Sequence, residues 1–271
     1  MTDTERGSAD RWRSEAVLRR KSRIWERIIA VTELALDTVR ERAHEAFGEW
    51  TMVRADAEWA TAAVSHEPTR RMLVEVGLPV ETNIFTIDDA FFVLPTTIGA
   101  LAVEHPDWWG SDQVAAYRNW IALGCEANAA RFVLDPESGR VHFLVLGGDG
   151  ILQSSTLAIF VYALAHFETR RHLDGVPLDD VEPFERAAEA NYETFRHLSL
   201  VDPPAFEGVS PPPWAESQGG ELDLGHSWEW IADGFADGLF SDWTWSDKAL
   251  RYFATRGIDP QTREPRRTQA D

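Results

Sequence analysis

In the N-terminal part of the chain, apolar residues recur at steps of three and four, with Arg, Lys and Glu between them. The positions that follow this spacing are Ile24, Ile28, Val31, Ala35 and Val39. Residues 11–49 contain no proline and no glycine before Gly48, so the pattern predicts one amphipathic helix, or two in line. The first part is basic, which would suit a membrane surface, but packing on its own domain or on a second copy is the favoured interpretation.

Short helix and strand signals come next. Residues 69–76 are predicted to form a helix, because Pro68 suits a first turn and Gly77 suits the left-handed position that ends a helix before Pro79. The segments after it are predicted as strand, strand and loop, in the order 83–87, 91–103 and 104–112.

The clearest β pattern is a series of short apolar runs separated by turn residues. The predicted strands are 120–124, 131–134, 141–146 and 151–153. Between the second and third strands, Pro136 presets φ for a turn and Gly139 allows the positive φ that closes it. Three glycines in residues 147–150 predict the next turn. The four strands are expected to form an antiparallel meander.

Helical patterns return after the meander. Ser154 or Ser155 is placed to cap a helix that ends near residue 168, and another helix is predicted over about 180–198. Ser227 can cap a last, acidic helix over 228–239, and the polar segment from residue 258 is expected to fray. Helices before and after one mainly antiparallel sheet make an α+β domain.

The net charge of the chain limits the classes of molecule that it is expected to bind. The 271 residues carry a net charge of −19, and residues 172–247 hold 17 acidic and 2 basic residues. No Lys or Arg occurs between 202 and 247. Such a field repels nucleic acid and anionic membranes and attracts basic partners, although a need for solubility would also explain it.

The same sequence offers little chemistry. One cysteine, Cys125, excludes an internal disulfide and a cysteine-based zinc cluster, and the polar N-terminus without an apolar region predicts a cytoplasmic protein. The eight histidines lack metalloprotease spacing. Asp88-Asp89 and Asp179-Asp180 are favoured as turn or cap residues over acid–base pairs. No cofactor, metal or catalytic residue is expected, and an enzyme built from scattered His and Asp is kept as an alternative.

The predicted C-terminal helix is the candidate partner-binding surface. Glu229, Asp233 and Asp237 are spaced four apart, so they line one face of that helix. The acidic residues of the preceding loop extend the patch, namely Glu216, Glu221 and Asp223. Like charges at this spacing cost roughly a few tenths of a kcal/mol each, which a basic partner would relieve. The alternative is a solvated outer face over a packed inner face.

The order of these motifs resembles the SUKH family of bacterial immunity proteins, especially its actinobacterial fourth group. The resemblance covers about residues 60–245. The motifs that carry it are Gly77-Leu78-Pro79, the hairpin Leu134-Asp135-Pro136 to Gly139-Arg140-Val141, the Ser154-Ser155 cap, Val201-Asp202-Pro203 and Trp228. It implies a twisted, mainly antiparallel sheet flanked by helices. It also implies a non-enzymatic protein that binds a polymorphic toxin, often one that acts on nucleic acid, and blocks it.

We therefore divide the chain into an N-terminal helical extension at 1–54, a SUKH-like domain at 55–247 and a C-terminal tail at 248–271. The expected partner is a basic toxin domain rather than nucleic acid or a membrane. The extension and the Trp108-Trp109 segment lie outside the family pattern. They leave a second hypothesis, a non-catalytic scaffold that self-associates or docks through residues 11–49.

Overall fold

A computed structural model describes residues 34–126, 130–145, 150–169, 193–194, 196–206 and 244–266 of the chain. Ala35–Asp271 form one compact unit, to which all described residues except Leu34 belong. Within these ranges, no helix is long and apolar enough to cross a membrane.

Helix α1 (Leu36–Phe47) is the described part of the predicted N-terminal helix, whose residues 11–33 lie outside the described ranges. Its side chains Val39, Ala43 and Phe47 are buried within the compact unit, which is the packing favoured from the sequence. Arg40 adds an ion pair to Glu75, 2.8 Å from nitrogen to oxygen. The domain boundaries proposed above remain predictions.

Two short helices and a small sheet follow α1. They are α2 (Ala57–Ala63), α3 (Glu67–Arg71) with its π-helical continuation Met72–Val76, and the antiparallel pair β1 (Met52–Val53) and β2 (Leu78–Pro79). The helix predicted over 69–76 is confirmed, with a proline in its first turn.

Gly77 ends this helix in a conformation that differs from the predicted one. Its φ of 86° is positive as expected, but its ψ of −162° places it outside the left-handed helical region. A Cβ at this position would lie 2.3 Å from the carbonyl oxygen of Val53. Glycine is therefore required both by the backbone angles and by the close approach of β1.

The main sheet has five antiparallel strands that lie in their order along the chain. They are β3 (Thr86–Ile87), β4 (Ile121–Glu126), β5 (Ala130–Leu134), β6 (Val141–Val145) and β7 (Gly150–Ser154). The predicted meander is confirmed, while the strand predicted over 83–87 is reduced to two residues. The predicted turn between β5 and β6 is also confirmed. Gly139 has φ 75°, and its N–H donates to the Asp135 carbonyl at 2.9 Å.

One face of the sheet is covered by α6 (Leu157–Glu168), against which α1 packs. The ring of Phe160 lies 5.1 Å from Phe132 and 5.7 Å from Phe85, centroid to centroid. The cap of α6 was predicted wrongly. Thr156, not Ser154 or Ser155, accepts the N–H of Ile159, because Ser154 still belongs to β7.

The opposite face is covered by α4 (Ile98–Glu104) and α5 (Ser111–Tyr117). The buried cluster between these helices and the sheet consists of Ile98, Leu101, Trp109, Ala122, Val133 and Leu144. The prediction of a strand over 91–103 was wrong here. The loop predicted over 104–112 is confirmed for residues 105–110, which connect the two helices and contain the 3₁₀ turn Pro106–Trp108. The α+β class is nevertheless confirmed, with a helical layer on each face of the sheet.

A last helix, α7 (Asp247–Arg256), lies where only a tail was predicted. Ser246 caps it through the N–H of Ala249, and both the backbone N–H and the hydroxyl of Ser246 donate to the buried carboxylate of Glu81. After α7, Arg263 donates to the Ala46 carbonyl and to Glu168. The C-terminal segment is thus fastened to both α1 and α6.

Candidate partner-binding surface

The six acidic residues predicted to bind a partner lie in residues 207–243, outside the described part of the chain. They are Glu216, Glu221, Asp223, Glu229, Asp233 and Asp237. Their shared helical face therefore stays a prediction.

The carboxylates of Asp88 and Asp89 have the structural roles that were favoured from the sequence. Asp88 accepts the N–H of Ala90 at 3.0 Å, which caps a 3₁₀ turn, and its other oxygen accepts from Arg131 at 2.9 Å. Asp89 pairs with Lys248 at 2.8 Å. Both carboxylates are thus engaged by cations rather than arranged as an acid–base pair. Asp179 and Asp180 lie outside the described residues.

Glu126 and His142, both on the main sheet, have shifted pKa values, and burial is the first cause in both. Burial raises the pKa of Glu126, at the end of β4, to about 7. Burial also lowers the pKa of His142, whose ring packs 4.5 Å from that of Trp120. Within the described residues, no group of three or more His, Cys, Asp or Glu could hold a metal ion. Desolvation in a packed domain explains these shifts without a catalytic role.

The outer side of the α4–α5 layer carries exposed apolar and acidic side chains close together along the chain. We define the Trp108 face as Val103, Glu104, Asp107, Trp108 and Asp112, all of which are exposed. Val103 keeps 82% of its surface accessible and Trp108 keeps 37%, whereas the neighbouring Trp109 is buried in the cluster under the layer. The two adjacent tryptophans therefore have opposite roles.

The indole of Trp108 contacts two side chains. The imidazole of His105 stacks on it with centroids 3.9 Å apart and planes 9° from parallel. The guanidinium of Arg131 lies 5.3 Å from the ring centroid, within cation–π range. Arg131 is itself held by Asp88, so a buried ion pair fixes the support under an exposed aromatic ring.

The segment of chain that carries this surface is acidic. Between residues 72 and 117 the sequence has seven acidic residues and no Lys or Arg. Four of the seven are engaged within the molecule, namely Glu75, Glu81, Asp88 and Asp89. The other three, Glu104, Asp107 and Asp112, form no ion pair with a Lys or Arg of the described residues. These three belong to the Trp108 face.

Sequence reasoning missed this surface because it assigned 91–103 to a strand. A helical signal was present in the spacing of Ile98, Leu101 and Ala102, which all contact the core under α4. Thr97 was a second signal, because its hydroxyl accepts the N–H of Ala100 and caps the helix.

Comparison with known proteins gives one positive result. A search of curated proteins and a search of solved structures found no match to this chain. The sequence model of the SUKH-4 immunity protein family matches residues 39–216, which is well over half of the chain. This match includes most of α1, the whole meander and the α4–α5 layer, and the antiparallel sheet between two helical layers is consistent with it. The Trp108-Trp109 segment therefore lies within the matched range, contrary to the expectation from the sequence. The chain belongs to the SUKH-4 immunity protein family.

Proposed function

We propose that this chain is a non-catalytic immunity protein of the cytoplasm, which binds a polymorphic toxin and blocks its activity. The observation that carries the proposal is the family match over residues 39–216. The net charge of −19 supports a finer statement, that the toxin acts on nucleic acid. Proteins that bind nucleic acid present Lys and Arg, and an acidic protein competes for that surface and associates rapidly with it.

The proposed contact residues are the acidic ones predicted near the C-terminus, led by Glu229, Asp233 and Asp237. Three carboxylates at this spacing on one face of a helix repel one another, and a basic toxin that binds them would relieve this repulsion. Glu216, Glu221 and Asp223 extend the same patch in the proposal.

The test uses the toxin domain encoded beside this chain, with its active site inactivated for binding and intact for cell protection. We expect tight binding that weakens at high salt, and protection of cells that express the active toxin. Changing Glu229→Gln, Asp233→Asn and Asp237→Asn together is expected to slow association by about tenfold or more, because electrostatic steering is reduced.

A matched control exists on α1. Asp37, Glu41 and Glu45 have the same four-residue spacing and are exposed, so neutralising them changes the net charge by the same amount. If both triple variants bind alike, the acidic residues of the helix predicted over 228–239 are not the contact. If the unsubstituted chain neither binds the toxin nor protects cells, the immunity proposal is wrong.

Self-association through residues 11–49 stays a separate prediction. The described part of that stretch buries Val39, Ala43 and Phe47 inside its own unit, so the apolar side of α1 is already used there. Light scattering on the chain without residues 1–33 would test it. If the shortened chain forms particles with the same number of copies as the full chain, residues 1–33 have no role in assembly.

A further inference from the structure

We propose that the Trp108 face is a docking surface for the toxin, with Trp108 as the anchor that enters an apolar site on a basic protein surface. This inference rests on the proposed function and adds a contact on the α4–α5 layer, which the sequence did not single out. The partner is a protein whose interface combines Lys or Arg with an apolar depression.

The first argument is exposure. Val103 is 82% accessible and Trp108 is 37% accessible. Val93 and Leu94, which follow the 3₁₀ turn capped by Asp88, are 88% and 58% accessible. The turn and the Trp108 face are joined through Arg131, which contacts both Asp88 and the Trp108 ring. Arg131 thus links two segments that each expose apolar side chains, and exposed apolar residues grouped together mark interaction sites.

The second argument is preorganisation. Trp108 is stacked on His105 and supported by Arg131, so its side chain has little conformational freedom to lose when a partner binds. Tryptophan is also among the residues most often found at interface hot spots. A helix that only covered the sheet would not need this support, because the covering role is performed by Trp109.

The third argument is charge, which indicates the kind of partner that binds the Trp108 face. Glu104, Asp107 and Asp112 are exposed and close to Trp108 along the chain, and no Lys or Arg lies between 72 and 117 in the sequence. Nucleic acid, anionic membranes and a second copy of this strongly acidic chain would all be repelled. A basic protein surface would be attracted, and its cations would lie next to an apolar contact, as in interfaces with a central anchor and a charged rim.

The test measures binding of the inactivated toxin domain encoded beside this chain to four full-length proteins. They are the unsubstituted chain, Trp108→Ala, Trp50→Ala, and the triple variant Glu104→Gln, Asp107→Asn and Asp112→Asn. Trp50 is the matched control, because it is 52% exposed and follows α1 on the other side of the sheet. Thermal unfolding of each variant separates a loss of contact from a loss of fold.

We expect Trp108→Ala to weaken binding by roughly 30-fold or more, as for a hot-spot residue, and Trp50→Ala to leave it unchanged. The triple variant is expected to slow association by about tenfold while its dissociation rate changes little. If the unsubstituted chain binds and Trp108→Ala binds equally well, this inference is wrong and the immunity proposal stands. If the unsubstituted chain does not bind, both are wrong.

Discussion

The ion pair between Arg263 and Glu168 fastens the C-terminal segment to α6, and its removal should destabilise the whole unit. One guanidinium nitrogen of Arg263 lies 2.6 Å from a carboxylate oxygen of Glu168, and the other donates to the Ala46 carbonyl. The side chains are 18% and 5% exposed. Arg263→Met keeps most of the aliphatic stem but removes the guanidinium, which pairs with the buried carboxylate and lies 5.3 Å from the Trp245 ring centroid.

The size of the effect follows from this burial. Removing one partner of a buried pair costs about 3–5 kcal/mol, because the remaining charge stays buried without its counter-ion. Arg263 is not fully buried, so we expect the lower end, about 3 kcal/mol. For a unit of this size each kcal/mol shifts the unfolding midpoint by about 2–4 °C, which gives a decrease of roughly 6–12 °C.

The assay is urea unfolding of the unsubstituted chain, Arg263→Met, Glu168→Gln and the double variant. The double variant should lose less free energy of unfolding than the sum of the single losses, because it leaves no unpaired buried charge. Arg42→Met is the control, since Arg42 and Glu45 form an exposed pair at 2.9 Å with side chains 56% and 59% exposed. That pair should contribute less than about 1 kcal/mol. Equal losses for Arg263→Met and Arg42→Met, or strictly additive single losses, would refute the reasoning.

Three further predictions concern folding stability. Gly77→Ala should lower the free energy of unfolding in urea by at least about 2 kcal/mol, because of the backbone angles of Gly77 and its close approach to the Val53 carbonyl. Gly110 has open space around it, so Gly110→Ala should change this free energy by less than about 0.5 kcal/mol. Burial raises the pKa of Glu126 from 4.5 to about 7, so the folded state binds the proton more tightly than the unfolded state. The unsubstituted chain should therefore lose stability relative to Glu126→Gln as pH rises from 4.5 through 7, which unfolding midpoints of the two proteins would measure. An advantage that is the same at pH 4.5 and pH 8 would contradict this. Burial lowers the pKa of His142 below 6.5, so the opposite sign applies: the unsubstituted chain should lose stability relative to His142→Phe as pH falls through 6.5, and parallel pH profiles would count against it.

The sequence predicted the meander well because its signals are local. Pro136 and Gly139 define the turn between β5 and β6, and the β-branched and aromatic runs on either side have the length of strands. The helix before Gly77 was predictable for the same reason, since Pro68 and Gly77 mark its ends. In these elements the local preference and the tertiary structure agree.

The α4–α5 layer and α7 were missed because tertiary contacts decide them. Residues 91–103 are apolar enough for a strand, and only the cluster under Ile98 and Leu101 shows that one face of a helix is needed there. The start of helix α7 depends on a residue far away in the sequence, because the Glu81 carboxylate accepts a hydrogen bond from the cap residue Ser246, 165 positions later. Trp108 looked like a loop residue, and its fixed position depends on Arg131, which comes from a strand. Spacing alone does not show such pairings.

The attachments of the C-terminal segment have a consequence for synthesis of the protein. Arg263 contacts Ala46 and Glu168, which precede it by 217 and 95 positions, so these contacts form only after Arg263 itself has been synthesised. A product that ended before Ser246 would bury Glu81 without the two donors of Ser246 and would leave Glu168 without Arg263. Chains that end before Ser246 would therefore be less stable and more open to proteolysis than chains that include these contacts.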